Sequence, residues 1–344
     1  MAFNTASGYG NLPNGNFSPV IYSQKVQKTF RKTSVVEDVT NTDYMGEIAN
    51  YGDSVRIIKE PEISVSSYAR GTQLATQDIT DADFSLIIDQ ANYFQFAIDD
   101  IESAHSHVNF MELATDRAAY KLRDAFDAEV MGYMSGYEKD GSGLWVPRTA
   151  PNGTKADTGA DADELLAANK LTAGAFGGIA GNSIPVAAGG GTGVVSPLAI
   201  LNRIARQMDQ ANVDTDGRYI IVDPVFIEML MDEDSKIMDR DFGGDGELLN
   251  GRLQSTLRGF KIYKSNNLPF VGTGAGTTDA DGSTTDFGIV VAGHQSAVAT
   301  AQQIDKTESF RDPNTFADKV RGMQLYGRKI LRPEALFTAA YNVA

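Results

Sequence analysis

The sequence predicts an α+β protein, and three patterns support this fold class. Apolar and polar residues alternate over 53–68 and again over 84–98, which is typical of half-buried strands. Residues 108–134 carry apolar side chains at helical spacing. Residues 196–343 mix capped helices with strand-like runs. A chain of 344 residues is long enough to bury a large core, and we expect two or three lobes.

Composition excludes several classes of protein. The chain has no cysteine, so it contains no disulfide framework, thiolate nucleophile or cysteine metal site. Its formal net charge is −15, which disfavours general binding to phosphate backbones. No apolar run approaches the roughly 20 residues of a membrane span, and residues 1–19 lack the pattern of a signal peptide. We therefore expect neither a membrane partner nor a secretory signal.

The N-terminal arm differs in charge from the rest of the chain. Residues 1–36 contain no acid and four cations, Lys25, Lys28, Arg31 and Lys32. This pattern has two interpretations: a tail kept soluble by its charge, or a segment that docks onto an acidic surface such as that of a sister subunit. Within 23–39, the spacing of Val26 and Phe30 predicts a short helix.

The pattern over residues 46–98 predicts long β-structure that runs outward and then returns. Val55 and Ile57 alternate with polar neighbours, and the same alternation recurs over 63–67 and 84–98. Pro61 lies between the first two runs and suits a bend or an exposed edge. The far end has few apolar residues with which to form a core, and an isolated hairpin is only marginally stable in water. It should need another surface to lie on.

A long helix is predicted over 108–134. Its apolar stripe consists of Met111, Ala114, Ala118, Leu122, Ala125, Phe126, Val130 and Met134, with Glu129 in line. Asn109 and Glu112 have the spacing of a capping box. At 1.5 Å per residue the helix would be about 40 Å long, which suggests a rod on which other elements are mounted.

The rest of the chain predicts shorter elements. Residues 139–195 are rich in Gly, Ala, Asp and Thr and should consist mainly of loops. Ser196 and Asp223 each precede a proline and an apolar stripe, as helix N-caps do. Strands are expected at 218–222 and 259–264, a buried strand followed by a small helix within 287–301, and two strands on either side of Arg332-Pro333.

The search for reactive groups finds weak patterns only. Asp99, Glu102 and His105 step by three, as metal ligands on one helix face do. Acids at a strand-to-helix joint are also favoured by the helix dipole, and we prefer this structural interpretation. Asp-Phe-Gly at 241–243 and the glycine run at 189–193 lack the companion motifs of kinases and phosphate loops. His294 has serines nearby but no nucleophile elbow. The sequence therefore predicts no catalytic, cofactor or metal site.

The order of these segments resembles that of a known family. The chain runs from a basic arm through YGDSVRI, LIIDQANYFQFAIDD and DRAAYKLRDAFDAEV to RYIIVDPVFIEMLM, GFKIYKSNNLP and VRGMQLYGRKILRPEAL. This order is similar to that of the major capsid proteins of tailed bacteriophages with the Hong Kong ninety-seven type of shell fold. The likeness covers most of the chain and is weakest over 1–20, 139–195 and 272–286.

The resemblance implies a division of the chain. Residues 1–42 would be an N-terminal arm, residues 43–90 an extended loop that reaches over a neighbouring subunit, and residues 139–305 an axial domain. Residues 91–138 and 306–344 would form a peripheral domain that contains the spine helix. The implied function is self-assembly into the hexamers and pentamers of an icosahedral head that encloses double-stranded DNA and matures from a procapsid.

The family also implies partners and a location. Besides further copies of itself, the protein would meet scaffolding and portal proteins, a decoration protein in some cases, and packaged DNA without sequence-specific contacts. Assembly would take place in the host cytoplasm, and no cofactor is implied. Some members join subunits by an isopeptide bond from a loop lysine. Lys59 is the only lysine within 46–90, and the sequence alone identifies no asparagine opposite it.

The expected subunit contacts are electrostatic. We expect the loop cations Arg56, Lys59 and Arg70 to pair with acids of the adjacent spine region, at Asp116, Asp124 or Asp127. The arm cations Lys25, Lys28, Arg31 and Lys32 are further candidates.

Three alternatives stay open at this point. An encapsulin-like compartment would share the fold and hold an enzyme cargo. A metal-dependent hydrolase would use Asp99, Glu102 and His105. A tail or decoration protein would not need the long helix.

Overall fold

The computed structural model describes residues 34–43, 54–59, 63–68, 70–71, 73, 76–77, 82–99, 110–139, 143–147, 165–177, 179, 183–232, 256–271, 287–313 and 315–343. The helices in these ranges are α1 (Val36–Val39), α2 (Phe110–Ser135), α3 (Pro197–Gln210) and α4 (Pro224–Leu230). The strands are β1 (Ser54–Lys59), β2 (Ala82–Asp99), β3 (Tyr137–Lys139), β4 (Trp145–Pro147), β5 (Lys170–Leu171), β6 (Ile184–Val186), β7 (Arg218–Val222), β8 (Thr256–Leu257), β9 (Phe260–Lys264), β10 (Phe270–Val271), β11 (Phe287–His294), β12 (Val298–Arg311), β13 (Ala317–Ile330) and β14 (Leu336–Val343).

Long strands form the first sheet, which we call the hairpin sheet. Its order is β1-β2-β13-β12, and each neighbouring pair is antiparallel. The predicted alternation over 93–99 is confirmed: Phe94, Phe96 and Ile98 are partly buried, whereas the residues between them are exposed. Phe126 of α2 meets Tyr326 of β13 edge to face, with ring centroids 4.8 Å apart, so the inner face of this sheet packs on the helix.

Apolar runs form the second sheet, which we call the central sheet. Its order is β5-β14-β11-β7-β9-β8, and β10 and β6 join β11 and β14. All five residues of β7 and seven of the eight in β11 are buried, as expected for strands covered on both faces. Both predicted helix caps are confirmed: the Ser196 side chain accepts from the Ala199 N–H, and Asp223 accepts from the Phe226 N–H.

The long helix α2 connects the two sheets. In its first half the stripe residues Ala114, Ala118, Leu122 and Ala125 are partly buried, and so are several residues on other faces. From Phe126 to Ser135 every residue except Glu129 is buried, so the prediction of a single apolar stripe is wrong for this half. The reason is that Val130, Met131 and Met134 share one core with Val291 of the central sheet and Ile330 of the hairpin sheet. α2 therefore packs against both sheets, in addition to forming the long helix that the sequence predicts. The predicted capping residue Asn109 lies outside the described residues.

The small helix predicted after β11 is a strand. A turn at 295–297 leads directly into β12, which pairs with β13 from Val298 onward. The Ala297 carbonyl accepts hydrogen bonds from the N–H groups of Leu331 and Arg332 at 2.8 and 3.2 Å. These long-range bonds override the helix propensity of the alanine-rich run.

Two further predictions differ in extent from the structure. Of the helix predicted over 23–39, the described part is α1 alone. Residues 63–68, expected as a strand, have no strand pairing in the described part of the chain. The two strands flanking Arg332-Pro333 are confirmed as β13 and β14. Because β14 pairs with β11, it belongs to the central sheet, whereas the predicted division placed 306–344 beside the spine helix.

Among the described residues, no helix combines the length and apolarity that a membrane crossing requires.

Candidate functional site

The outer end of the hairpin sheet exposes apolar side chains. β1 and β2 pair from Ser54 opposite Ile87 to Lys59 opposite Ala82. Farther out, the Ser64 N–H and hydroxyl both bond to Gln77 Oε1, at 3.1 and 2.9 Å, which brings the outgoing and returning segments together. Val65 is 98% exposed, and Ile63 and Tyr68 are exposed as well. Three exposed apolar side chains within six residues make this segment a candidate contact surface.

A buried carboxylate on α2 holds the start of the described chain. Asp127 is fully buried, and its Oδ1 accepts hydrogen bonds from the Ser34 hydroxyl at 3.0 Å and from the N–H groups of Val35 and Val36 at 2.9 and 3.1 Å. Its Oδ2 accepts from Asn267 Nδ2 at 2.8 Å. Val35 provides no side-chain cap for α1, so Asp127 supplies one from a different helix.

This geometry corrects the role expected for Asp127. A carboxylate with no exposed surface and four donors from its own chain is not accessible to an arginine of a neighbouring subunit. Asp127 instead connects the arm, α2 and the loop after β9 by hydrogen bonds within one subunit.

The other predicted contact residues lie at different depths. Asp116 is exposed on the first half of α2. Asp124 is mostly covered, accepts a hydrogen bond from Asn267 Nδ2 at 3.0 Å and lies 3.8 Å from the Lys121 ammonium. Arg56 on β1 and Arg70 are exposed, and Lys59 ends β1. Lys25, Lys28, Arg31 and Lys32 lie outside the described residues. The pairing between subunits stays a prediction, since a single chain does not contain it.

A groove of about 640 Å³ lies between α2, the inner face of the hairpin sheet and the residues around α1. Its described lining contains four carboxylates, from Glu37, Asp116, Asp124 and Asp127, and one guanidinium, from Arg123. Arg123 Nη2 donates to both oxygens of Glu37, at 3.1 and 3.2 Å. The groove is therefore acidic, and we call it the acidic groove.

One acceptor in the acidic groove lacks a donor. Gln324 of β13 lines the groove and is 7% exposed, and its Oε1 has no hydrogen-bond partner among the described residues. A buried acceptor that lacks a donor lowers the stability of the fold.

The residues of the catalytic alternatives have other surroundings. His294 Nδ1 lies 2.8 Å from the Ser296 hydroxyl, and its Nε2 lies 2.8 Å from the backbone carbonyl of Asp216. The histidine joins a turn to the loop before β7 and contacts no carboxylate in these hydrogen bonds. Asp99 ends β2, whereas its predicted companions Glu102 and His105 lie outside the described residues.

Comparison with known proteins gives a family assignment. The family model of the phage capsid proteins matches residues 59–339. The chain belongs to the phage capsid protein family. Its function is that of a major capsid protein, a structural component of the virion, and the encapsulin and hydrolase alternatives are not favoured. A comparison with curated proteins gave no match.

Solved structures agree with this assignment. A structure from Mycobacterium phage Che8 is 25% identical over 95% of this chain and 97% of that chain, with a TM-score of 0.71. The capsid structure of the cyanophage P-SCSP1u is 21% identical over 95% and 93% of the two chains, with a TM-score of 0.64. The mature capsid of bacteriophage PhiM1 is 15% identical over 100% and 97%, also with a TM-score of 0.64. The predicted α+β capsid fold is confirmed.

Three residues of this capsid chain were not predicted from its sequence: Ser34, Asn267 and Gln324. A signal existed for the first two, because Asp127 lies between Phe126 and the apolar pair Val130-Met131 on a helix, and an acid that becomes buried needs partners. No pattern in the sequence pointed to Gln324.

Proposed function

We propose that the protein forms the hexamers and pentamers of an icosahedral phage head around double-stranded DNA, and that residues 43–90 extend over a neighbouring subunit. The single observation that carries this proposal is the exposed apolar cluster at Ile63, Val65 and Tyr68. A covering surface from a second copy would bury these side chains. Contacts that are weak one by one become stable when they are summed over a closed shell.

The charge of the protein supports the role of a container. A net charge of −15 repels the phosphate backbone, so the shell would enclose DNA without binding it tightly. We further propose scaffolding and portal proteins as partners, a decoration protein as an additional one, and assembly in the host cytoplasm. The role is structural and does not involve catalysis.

We keep the proposed division into arm (1–42), extended loop (43–90), peripheral domain and axial domain (139–305), with one change. Residues 91–138 and 306–335 form the peripheral domain, and β14 is assigned to the axial side because it pairs with β11.

The test compares two exposed valines. Val65→Ser should lower the yield of particles in sedimentation and negative-stain microscopy, since it removes an apolar group from the proposed contact. Val343→Ser is the matched control, because Val343 is 59% exposed at the end of β14 and should leave the yield unchanged. Equal yields for both variants would contradict the proposed contact.

A second test addresses charge. Arg56→Glu combined with Arg70→Glu should reduce particle yield, and Asp116→Arg should restore part of it if this acid of the neighbouring subunit is the partner. Particle yield that stays at the wild-type level with both arginines reversed would refute the electrostatic contact.

A further inference from the structure

The turn between β12 and β13 exposes a large apolar side chain. Phe316 is 80% exposed, although turns usually consist of Gly, Pro, Asn, Asp and Ser. Phe310, near the end of β12, is partly exposed, and the Arg321 guanidinium lies over its ring, 5.0 Å from the centroid. Both strands are 14 residues long, so the turn lies roughly 45 Å from the other end of this strand pair. We call residues 308–321 the turn region.

The turn is held in one conformation by a buried carboxylate. Asp312 is 8% exposed, its Oδ2 accepts a hydrogen bond from the Thr315 hydroxyl at 2.5 Å, and the Lys319 ammonium lies 2.6 Å from the same oxygen. The Asp312 N–H donates to the Ala317 carbonyl at 3.0 Å. Pro313 restricts the backbone of the turn further. An ordered turn loses little conformational entropy when its exposed phenylalanine is covered, which favours binding.

Charge in the turn region is balanced, in contrast to the chain as a whole. The region contains three acids and three bases, and each pairs with one of the others: Arg311 with Asp318 at 3.3 Å, Lys319 with Asp312 at 2.6 Å and Arg321 with Glu308 at 2.9 Å. β2 adds one acid, Asp99, opposite Ala317. Such a surface attracts neither DNA phosphates nor a strongly basic partner. Two copies of a chain with a net charge of −15 repel less here than at an acidic surface.

We propose that the turn region is a contact between copies of this chain, in which Phe316 of one subunit packs against Phe316 of a neighbour. A closed assembly of identical subunits has symmetry axes at which the same surface of each copy meets. A surface that meets itself must avoid like charges, and the three internal ion pairs achieve this. The inference rests on the proposed assembly into a shell, but it concerns a part of the chain outside residues 43–90.

Disulfide trapping tests whether two turns meet, and the absence of natural cysteines makes its products unambiguous. Oxidised particles of Phe316→Cys should contain disulfide-linked dimers, since a disulfide requires Cα atoms within about 7 Å. Tyr93→Cys is the matched control, because Tyr93 is also aromatic and is 81% exposed on β2. The absence of dimers from Phe316→Cys, or an equal amount from Tyr93→Cys, would overturn the proposal.

Cysteine labelling shows whether something other than a second turn covers this position. Phe316→Cys is assembled as a minor fraction with wild-type subunits, so that particles form whatever the variant does alone. A maleimide should label the cysteine in free subunits and lose most of this labelling in particles. Protection without any disulfide in pure Phe316→Cys particles would mean that a different surface covers the turn. Equal labelling in particles and subunits, or protection only after DNA or another protein is added, would also overturn the proposal.

These outcomes are distinguishable from a failure of the proposed function. If particles form and Phe316→Cys stays accessible in them, the turn contact is wrong and shell assembly stands. If the wild-type protein forms no particles, the proposed assembly fails. Disulfide trapping in concentrated subunits then decides the turn contact by itself, because dimers support it and their absence overturns it.

Substitutions at the same position test the apolar contribution. Phe316→Ser should raise the protein concentration needed for assembly by about tenfold, because the contact loses an apolar side chain. Phe316→Leu keeps an apolar group and should assemble nearly as well as the wild type. Both variants should unfold like the wild type in urea as isolated subunits, since the side chain is exposed there. Wild-type assembly by Phe316→Ser would contradict the proposal.

Charge reversal tests the requirement for neutrality. Arg311→Asp makes the turn region acidic and should lower particle yield at low salt, and high salt should restore the yield by screening. Arg311→Asp combined with Asp318→Arg exchanges the two charges, keeps the region neutral and should recover the yield at low salt. Full yield from Arg311→Asp alone at low salt would show that like copies do not meet at this surface.

Discussion

The central sheet and the outer end of the hairpin sheet contain similar residue types but differ in burial. β11, with the sequence FGIVVAGH, buries all of its residues except His294. β1, with the sequence SVRIIK, leaves Ile58 77% exposed, and the segment beyond it exposes Val65 almost completely. The difference lies in topology: the central sheet has strands and helices on both sides, whereas the hairpin extends away from them. A strand-forming sequence therefore specifies a strand, and the position in the fold decides whether one chain can bury it.

The largest expected effect is a mutation in the central sheet. Phe337 of β14 is nearly fully buried, so Phe337→Ala should lower the free energy of unfolding by about 3–5 kcal/mol. Ile58→Ala should change it by less than about 0.5 kcal/mol in the isolated subunit, because the side chain is already exposed. Urea denaturation of the purified subunit measures both. Similar losses from the two variants would mean that the hairpin is as complete within one chain as the central sheet.

The buried carboxylate of Asp127, which connects the arm, α2 and the loop after β9, should be the next most sensitive position. Asp127→Ala would leave four donors without their acceptor, and we expect a loss of about 3 kcal/mol in the free energy of unfolding. Asp124→Ala is the matched control on the same helix and should cost less, because Asp124 lies nearer the surface. The same denaturation experiment checks this. A larger loss for Asp124→Ala than for Asp127→Ala would contradict this connecting role of Asp127.

The sequence predicted the elements better than their surroundings. Ser196 and Asp223 were recognised as caps because a cap depends on residues only a few positions apart. The start of the strand at 298–311 was missed because it pairs with the far end of β13, Val298 lying opposite Ile330, and local alanine content favoured a helix. The fully buried half of α2 was missed for the same reason, since two sheets distant in sequence converge on it.

The candidate site shows the same difference between local features, which the sequence predicted, and contacts between distant residues, which it did not predict. Net charge and the basic arm were visible in composition, and the exposed loop followed from its lack of core residues. Asp127 was expected to pair with loop cations of a neighbouring subunit because it lies off the apolar stripe of the long helix. Its partners Ser34 and Asn267 are 93 and 140 residues away, so local sequence could show that Asp127 needs partners but not which residues they are.

A smaller effect should appear in alkaline solution. Burial raises the pKa of Tyr341 above its ordinary value, and the hydrogen bond that its hydroxyl donates to Asp223 raises this pKa further. Above about pH 10, the unfolded chain releases a proton that the folded chain retains, so stability falls as pH rises. This residue should contribute about 1.4 kcal/mol per pH unit to that decline. Tyr341→Phe should cost about 1 kcal/mol at neutral pH and show a shallower decline. Denaturation curves measured from pH 8 to pH 11 test this, since the range brackets the ordinary tyrosine pKa of about 10. Parallel losses of stability in the wild-type protein and in Tyr341→Phe would contradict it.

The smallest expected effect concerns the outer face of the hairpin sheet. Arg321 Nη2 lies 2.9 Å from Glu308 Oε2, and the Arg321 side chain is largely exposed whereas that of Glu308 is partly exposed. Glu308→Gln should therefore change the free energy of unfolding of the isolated subunit by less than about 1 kcal/mol, and salt should reduce even this. In assembled particles the outcome depends on what covers this face. If a neighbouring subunit covers it, the ion pair is shielded from solvent and the variant should lower the salt concentration at which particles dissociate. If the face stays in solvent, particles and subunits should respond alike, and the incomplete part of the fold would be limited to the hairpin end.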